Sequence, residues 1–279
     1  MLKEQKKLLK EAGIYLKKRW GQNLLIDPQV LKGIIRLARI SPDDTVLEIG
    51  SGLGTLTRGL ADIAQRVISL ELDEKLHQLL KKELGHYPNL QIIRADALSF
   101  DYSILGEGLK VVANLPYYIS TPIIFRLLEY KNQIKDMHIM LQREVATRIR
   151  ALPGQKDYSP LSIAVQLYCE VEECLQVSAQ AFWPSPRVES SLLRITPLPG
   201  PRVALLDEAL FFQLVRVSFA QRRKTLRNSL KTTRCLGIES DLMEEAFRET
   251  KIDPRRRGET LALEEWAALS NYLSSKPRI

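Results

Sequence analysis

The sequence is poor in the side chains that build disulfide frameworks and zinc sites. Only three of its 279 residues are cysteine and three are histidine. They are Cys169, Cys174 and Cys235, and His77, His86 and His138. An odd number of cysteines without C-x-x-C spacing argues against both kinds of site and suits a reducing compartment. The scattered histidines predict structural or surface positions, so we expect no metal.

Long apolar runs are lacking as well. No stretch reaches the length that spans a membrane, and we expect no signal peptide. The basic segment at residues 3–10 is typical of a helix, but it contains Glu4 and lacks serine, so it fits a transit peptide poorly. These features predict a cytoplasmic protein without a membrane partner.

Positive charge is in excess and is clustered. The formal net charge is +8, and the first twenty residues carry seven Lys or Arg against two Glu. Three further arginines stand together at 255–257. The longest basic run has no acidic residue and consists of Arg216, Arg222, Arg223, Lys224, Arg227, Lys231 and Arg234. One such run is usually a solvated helix face, but three on a basic chain indicate a nucleic-acid partner.

The order of apolar runs predicts an α/β fold. Strands are expected at 45–49, 66–71, 90–94, 109–113 and 137–141, and helices at 28–38, 55–64, 74–84 and 121–129. This alternation is typical of a doubly wound, mostly parallel, Rossmann-like sheet. Two later apolar runs, 171–177 and 192–195, can complete the sheet with an antiparallel pair.

A proline-rich stretch at 197–201 reads as a linker, and the pattern beyond it is helical, at 205–219, 242–248 and 263–273. We therefore predict a catalytic domain over 1–198 and a small helical domain over 199–279. The chain of 279 residues is long enough for both domains, and its 45% hydrophobic residues are sufficient to form their cores. The helical domain is expected to bind RNA through Arg222, Arg223, Lys224 and Arg227.

Glycines at 50, 52 and 54 separate the first strand from the next helix. Glycines at this position let the chain turn tightly and let a ligand approach the backbone. The G-x-G-x-G spacing favours a ligand smaller than a dinucleotide. Glu71 ends the next strand and can accept both ribose hydroxyls, and Asp96 after the third strand can accept from an adenine N6 amine. Gly50, Gly52, Gly54, Glu71 and Asp96 are thus candidate cofactor-binding residues.

The tetrapeptide Asn-Leu-Pro-Tyr at 114–117 follows the fourth strand. The Asn114 side-chain oxygen and the Leu115 carbonyl can each accept one N6–H of an adenine, which draws the nitrogen towards tetrahedral geometry. Pro116 stiffens the turn, and Tyr117 can stack on an extruded base. Asn114 also borders the predicted cofactor site. Together with the glycine turn, the loop predicts a methyltransferase that acts on the amino group of adenine.

The chain closely resembles the small-subunit ribosomal RNA adenine N6-dimethyltransferases. The motifs that carry the resemblance run almost from end to end and occupy residues 21–27, 46–57, 114–120, 142–145, 157–161, 182–188, 219–228 and 257–261. Three departures are Leu24, where the family usually has Phe, Ser51, where Pro is common, and Val-Ser-Ala at 177–179, where Val-Pro-Pro is typical.

The resemblance implies an S-adenosylmethionine cofactor and a small-subunit ribosomal RNA partner. It implies that two adjacent adenines in the hairpin loop near the RNA 3′ end are each methylated twice during subunit assembly. Residues 1–40 are expected to close over the cofactor through Gln22, Asn23 and Leu25, and Phe182 to face the target base opposite Tyr117. We expect a monomer.

Three alternatives share some of these features. The macrolide-resistance methyltransferases have the same fold and loop but modify one adenine of large-subunit RNA. A mitochondrial relative that doubles as a transcription factor is a weaker alternative. A non-catalytic ribosome assembly factor would tolerate replacement of Asn114 or Gly52. The segment at 219–228 and the long helical tail favour the small-subunit enzyme.

Overall fold

The computed structural model describes residues 1–16, 22–231 and 237–276, without the Lys231 side chain. The chain divides into two compact units. The first comprises residues 1–146 and 170–197, and the second comprises 147–169 and 198–279. The boundary at 197/198 lies beside the predicted one. Residues 147–169, predicted to belong to the first domain, are part of the second unit.

A seven-stranded sheet forms the centre of the first unit. The strands are β2 (Thr45–Ile49), β3 (Arg66–Glu71), β4 (Leu90–Arg94), β5 (Leu109–Asn114), β6 (Ile134–Gln142), β7 (Cys169–Val177) and β9 (Ser190–Pro197). Their spatial order is β4-β3-β2-β5-β6-β9-β7. The pairs from β4 to β6 are parallel, and β9 runs antiparallel to β6. The predicted α/β sheet, including the antiparallel β9, is confirmed.

Strand order reverses between β2 and β5, which are neighbours in the sheet. From β2 the chain moves outward through β3 to β4, and it then returns to the other side of β2 with β5. Such a reversal leaves a crevice at the carboxyl ends of the two strands, because the connecting helices leave in opposite directions. The glycine turn follows β2 and Asn114 ends β5, so both lie at this crevice.

Helices of the first unit begin where their caps predict. The Asp27 carboxylate accepts from the Gln29 N–H at 2.7 Å, and Asp73 accepts from the Lys75 N–H at 3.0 Å. Each satisfies an N–H group that has no partner inside the helix. The helices are α1 (Leu2–Glu11), α2 (Pro28–Ala38), α3 (Thr55–Ala61), α4 (Glu74–Leu84) and α5 (Ser120–Glu129). A two-stranded antiparallel ribbon joins β1 (Leu24–Leu25) to β8 (Phe182–Trp183).

The second unit is helical. Its helices are α7 (Pro160–Tyr168), α8 (Glu208–Ala220), α9 (Leu226–Lys231), α10 (Ser240–Glu249) and α11 (Leu263–Ser274), and α6 (Arg143–Arg150) enters it from the first unit. Its core contains Phe211, Leu214, Phe247 and Trp266, which are almost completely buried. In the described part of the chain, no helix is both long and apolar enough to cross a membrane.

Candidate functional site

A cleft opens at the carboxyl ends of β2, β3 and β5, all within the first unit. The segments that follow these strands supply most of its wall, as expected for a sheet with a reversal of strand order. The lining residues include Gln22, Asn23, Leu24, Leu25, Glu48, Gly50, Ser51, Gly52, Thr55, Glu71, Asp96, Asn114, Leu115, Pro116, Tyr117 and Tyr118. Eleven of the predicted cofactor and catalytic residues thus lie on one surface.

The glycine turn has a conformation that side chains disfavour. Gly50 and Gly52 have φ values of 78° and 58°. A Cβ added at Gly50 would lie 3.2 Å from the Pro116 ring, and one at Gly52 would lie 3.2 Å from Leu24. The turn is therefore packed directly against the Asn-Leu-Pro-Tyr loop and against the β1 strand, and glycine is required for both conformation and space.

Two acidic side chains stand where the sequence predicts them. Glu71 is buried, and its two carboxylate oxygens accept from the Gly52 and Asp73 N–H groups, both at 2.9 Å. Burial raises the pKa of Glu71, and these backbone hydrogen bonds oppose the rise. Glu71 thus fixes the glycine turn and lines the cleft, and each of its carboxylate oxygens can accept a further hydrogen bond. Asp96 is exposed and accepts from the Leu98 N–H at 2.9 Å.

Asn114 presents an acceptor atom without a partner. Its Nδ2 donates to the Asn23 carbonyl at 3.2 Å, which orients the amide group. Its Oδ1 is buried and has no hydrogen-bond partner among the described residues. A buried polar atom of this kind costs free energy unless a ligand supplies a donor. The geometry therefore fits the predicted capture of an amino group.

Tyr117 is held by its hydroxyl group. The Tyr117 hydroxyl and the Ser190 Oγ are 2.5 Å apart, and Ser190 is fully buried at the start of β9. Burial raises the pKa of Tyr117. The Leu115 N–H donates to the Met140 carbonyl at 3.3 Å, which extends the β5–β6 ladder into the loop. The ring of Tyr117 consequently has a fixed position at the cleft.

Comparisons with known proteins agree with this geometry. The family of ribosomal RNA adenine dimethylases matches residues 14–275 of the chain. The chain belongs to this family. A ribosomal RNA small subunit methyltransferase A of Clostridium botulinum (strain Loch Maree / Type A3) is 47% identical over 271 residues, which cover 96% of this chain and 98% of the relative.

Two solved structures share the fold over most of the chain. The crystal structure of a dimethyladenosine transferase from Plasmodium falciparum has a TM-score of 0.76 and 28% identity, and covers 88% of this chain and 95% of its own. The 23S rRNA methyltransferase ErmE has a TM-score of 0.66 and 27% identity, and covers 90% of this chain and 100% of its own. The protein is thus a methyltransferase of ribosomal RNA adenine that uses S-adenosylmethionine.

Gly54 was predicted to bind the cofactor, but the structure gives it a packing role. Gly54 precedes α3 with a φ of 74° and does not line the cleft. A Cβ at this position would lie 2.5 Å from Leu84 Cδ1 and 2.7 Å from Leu80 Cδ2. The residue therefore allows α4 to pack against the start of α3.

Phe182 was predicted to face the target base opposite Tyr117, and the structure places it elsewhere. Its side chain is 2% exposed and belongs to a core cluster with Leu25 and Val177. It pairs with Leu25 in the β1–β8 ribbon and does not line the cleft. The aromatic side chain that does line the cleft beside Tyr117 is Tyr118, which is 48% exposed.

The predicted N-terminal wall of the cleft is only partly described. Gln22, Asn23 and Leu25 all line the cleft. Leu24, the departure from the family pattern, packs on Gly52. Gly21, which begins the motif, lies outside the described residues, as do Arg234 and Cys235.

Sequence reasoning did not identify Glu48, the fourth residue of β2. Glu48 is fully buried, and its Oε2 accepts from the Thr57 hydroxyl at 2.6 Å. Burial raises its pKa to about 7, and the nearby charge of Glu71 acts in the same direction. Beside it, Ser51 hydrogen-bonds Ser69. The available signal was an acidic residue within an otherwise apolar strand, because glutamate is almost never fully buried unless it has a partner.

The raised pKa of Glu48 predicts a pH-dependent stability. An unfolded glutamate has a pKa near 4.5, so the folded state binds the proton more tightly and loses stability as pH rises from about 5 to 8. Across this pH range, the free energy of unfolding of the wild type should fall by up to about 3 kcal/mol more than that of Glu48→Gln. Denaturant unfolding at several pH values measures this difference. The exposed variant Glu107→Gln is the control, and parallel curves for wild type and Glu48→Gln would contradict the prediction.

The predicted RNA-binding cluster separates into two pairs of residues. Arg222 pairs with Glu259 and also donates to the Lys156 carbonyl at 2.8 Å, and Arg227 lies 2.7 Å from Glu244. Both arginines therefore help to hold the second unit together. Arg223 and Lys224 are exposed, and neither makes an ion pair within the described ranges. The free charge of the cluster is on these two side chains.

Proposed function

We propose that this enzyme transfers methyl groups to N6 of two adjacent adenines in the 3′-end hairpin loop of small-subunit ribosomal RNA, twice at each base, during subunit assembly in the cytoplasm. The observation that carries the proposal is the buried, unpartnered Oδ1 of Asn114 beside the Gly50 turn. The near full-length similarity to small subunit methyltransferases supports the choice of RNA.

The residues of the cleft fit S-adenosylmethionine. The cofactor, when bound, supplies a methyl group on a positively charged sulfur. Glu71 is placed to accept from ribose hydroxyls, and Asp96 to accept from an amino group of the adenine ring. Gly50 and Gly52 line the cleft without side chains, so a ligand can approach this part of the main chain, and Asn23 is held by Asn114 at the same wall. We assign the binding of the cofactor to these residues.

Asn114 and Leu115 are assigned to the target base. The N6 nitrogen of adenine is a weak nucleophile because its lone pair is delocalised into the ring. In the first transfer to each base, acceptance of its two N–H bonds by Asn114 Oδ1 and the Leu115 carbonyl localises that lone pair; in the second transfer the one remaining N–H is accepted by one of these two groups. Tyr117, fixed by Ser190, stacks on the base after the base has flipped out of the RNA loop. No general base is required, since the proton on the alkylated nitrogen is acidic.

Mapping of dimethyladenosine in ribosomal RNA tests the function. RNA from cells with and without the gene is compared in both subunits. We expect two adjacent dimethyladenosines of small-subunit RNA to be lost with the gene and restored by the wild-type gene. Loss confined to large-subunit RNA would favour the ErmE-like activity. Unchanged modification with defective subunits would favour a non-catalytic assembly factor.

Glu71→Ala is expected to weaken cofactor binding by about 1–3 kcal/mol, which is roughly a 5- to 150-fold rise in Kd. The variant removes the acceptors for the ribose and leaves the Gly52 N–H without its partner. Titration calorimetry with S-adenosylmethionine measures the effect. Glu74→Ala, an exposed acid three residues away, is the control. Unchanged affinity in Glu71→Ala would show that the ribose lies elsewhere.

RNA binding by the second unit is expected to depend on Arg223 and Lys224. Their joint replacement by alanine should reduce the slope of the logarithm of the binding constant against the logarithm of the salt concentration by about one to two units. Each lost phosphate contact means that about one counterion fewer is released from the RNA when the protein binds the ribosomal particle. Joint replacement of Arg222 and Arg227 should mainly reduce stability, since both already pair with carboxylates. Equal slopes in both double variants would contradict this division of roles. Cofactor affinity should not change in either.

A further inference from the structure

Helix α1 has two different faces. Gln5 and Leu9 are 4% exposed and form the inner face. The outer face carries four exposed lysines, at positions 3, 6, 7 and 10, and the exposed Glu4 and Glu11 lie beside them. The spacing i, i+3, i+4, i+7 places four side chains on one side of a helix. The lysines therefore form a single stripe along α1.

The inner face fixes α1 to the wall of the cleft. Gln5 Nε2 donates to the Leu25 carbonyl at 3.1 Å and to the Thr55 Oγ1 at 2.9 Å. Leu25 and Thr55 both line the cleft. Leu9 packs in a cluster with Leu24 and with Leu76 of α4. Since one amide group bridges the β1 strand and the start of α3, the orientation of the lysine stripe is set by the cofactor-binding part of the fold.

The charges of the stripe are largely unpaired. Lys7 lies 3.8 Å from Glu11, and both side chains are exposed, so this ion pair contributes little. Lys6 lies over the ring of Trp183, 4.9 Å from its centroid. Within the described residues, Lys3 and Lys10 contact no carboxylate. Four lysines against Glu4 and Glu11 leave the exposed side of α1 with a net positive charge.

The stripe is connected through β8 to the residue that holds Tyr117. Trp183, under Lys6, ends β8, and residues 184–189 lead directly into β9. The first residue of β9 is Ser190, whose hydroxyl bonds Tyr117. Arg187 lies on this connection, is exposed, and pairs with no acidic side chain in the part of the chain that the structure describes. The segment that joins the ring under Lys6 to the partner of Tyr117 thus carries one further exposed positive charge.

We propose that the lysine stripe of α1 binds the phosphate backbone of the ribosomal RNA strand that flanks the target adenines. This inference rests on the proposed function for the identity of the RNA. Flexible ammonium groups contact phosphates as point charges without reading bases, which suits a surface that positions a strand whose adenines are recognised in the cleft. The stripe supplies binding from the catalytic unit itself, in addition to Arg223 and Lys224.

Two triple variants with equal loss of charge test the stripe. The test variant replaces Lys3, Lys6 and Lys10 of α1 by alanine. The control replaces Lys75, Lys81 and Lys82 of α4, which are exposed in the same unit. Binding to the small-subunit particle is measured from 50 to 200 mM salt. The slope is that of the logarithm of the binding constant against the logarithm of the salt concentration. We expect its magnitude to fall by about two to three units in the α1 variant and by less than half a unit in the control. Equal slopes in the two variants would overturn the proposal.

Further measurements separate this inference from the proposed function. The α1 variant should keep wild-type cofactor affinity and thermal stability, and arginine at the same three positions should restore the slope. Loss of cofactor affinity in the alanine variant would show a structural role instead. If small-subunit dimethyladenosine does not depend on the gene but the α1 slope still falls, the proposed function fails while the RNA surface stands. If small-subunit dimethyladenosine depends on the gene but the α1 variant and the control have equal slopes, the proposed function stands and only the proposed RNA surface fails.

Discussion

Asn114→Ala is expected to lower turnover by about 10²–10³-fold, the range seen when one preorganised hydrogen-bonding group at a reacting centre is removed. The buried Oδ1 is the one acceptor of this side chain. In the proposed mechanism, its hydrogen bond to N6 strengthens as the nitrogen becomes tetrahedral. Binding of RNA should change little. Cofactor affinity should fall slightly, since Asn114 also holds the Asn23 carbonyl.

Single-turnover methylation and separate binding titrations distinguish these effects. The control is Asn132→Ala, an exposed asparagine in the same unit. A rise in the Kd of S-adenosylmethionine that accounts for the whole loss of rate would contradict the assignment. Asn114 would then act through Asn23 on the cofactor and not on the target base.

Gly54→Ala is expected to lower the free energy of unfolding by about 2–5 kcal/mol. Left-handed backbone costs a residue with a side chain roughly 1–2 kcal/mol, and overpacking adds about 1–3 kcal/mol. At Gly54 both costs arise, because φ is 74° and the new Cβ would lie 2.5 Å from Leu84. Denaturant unfolding of the variant measures the sum.

Gly108→Ala separates the two costs. Gly108 has a φ of 73°, but a Cβ there would meet nothing within 4 Å. Its replacement should therefore cost only the backbone part, roughly 1–2 kcal/mol. If both variants lose the same stability, the contact with α4 is relieved by rotation of Leu80 and Leu84, and the packing role of Gly54 is smaller than inferred.

The strands and long helices could be predicted because their signals are local. The bounds of β2, β3, β4, α2 and α4 agree with the sequence pattern to the residue. Buried parallel strands give continuous apolar runs, and Asp27 and Asp73 cap the helices that follow them. The short helices α6 and α7 were missed, since the apolar residues of α7 are buried on all sides and show no clear helical period.

The sequence by itself determined the sheet and the places of the glycine turn and the Asn-Leu-Pro-Tyr loop at its edge. These follow from strand-end motifs, and parallel strands bring such ends together whatever else the chain does. Contacts between distant segments were decided only by the tertiary structure. Gly54 packs against α4, and Phe182 is buried in the core. Arg222 and Arg227 are paired with Glu259 and Glu244, so their charges are not free to bind RNA. Residue type and spacing specify what a side chain can do, but burial and partners, which depend on residues far away in the chain, decide what it does.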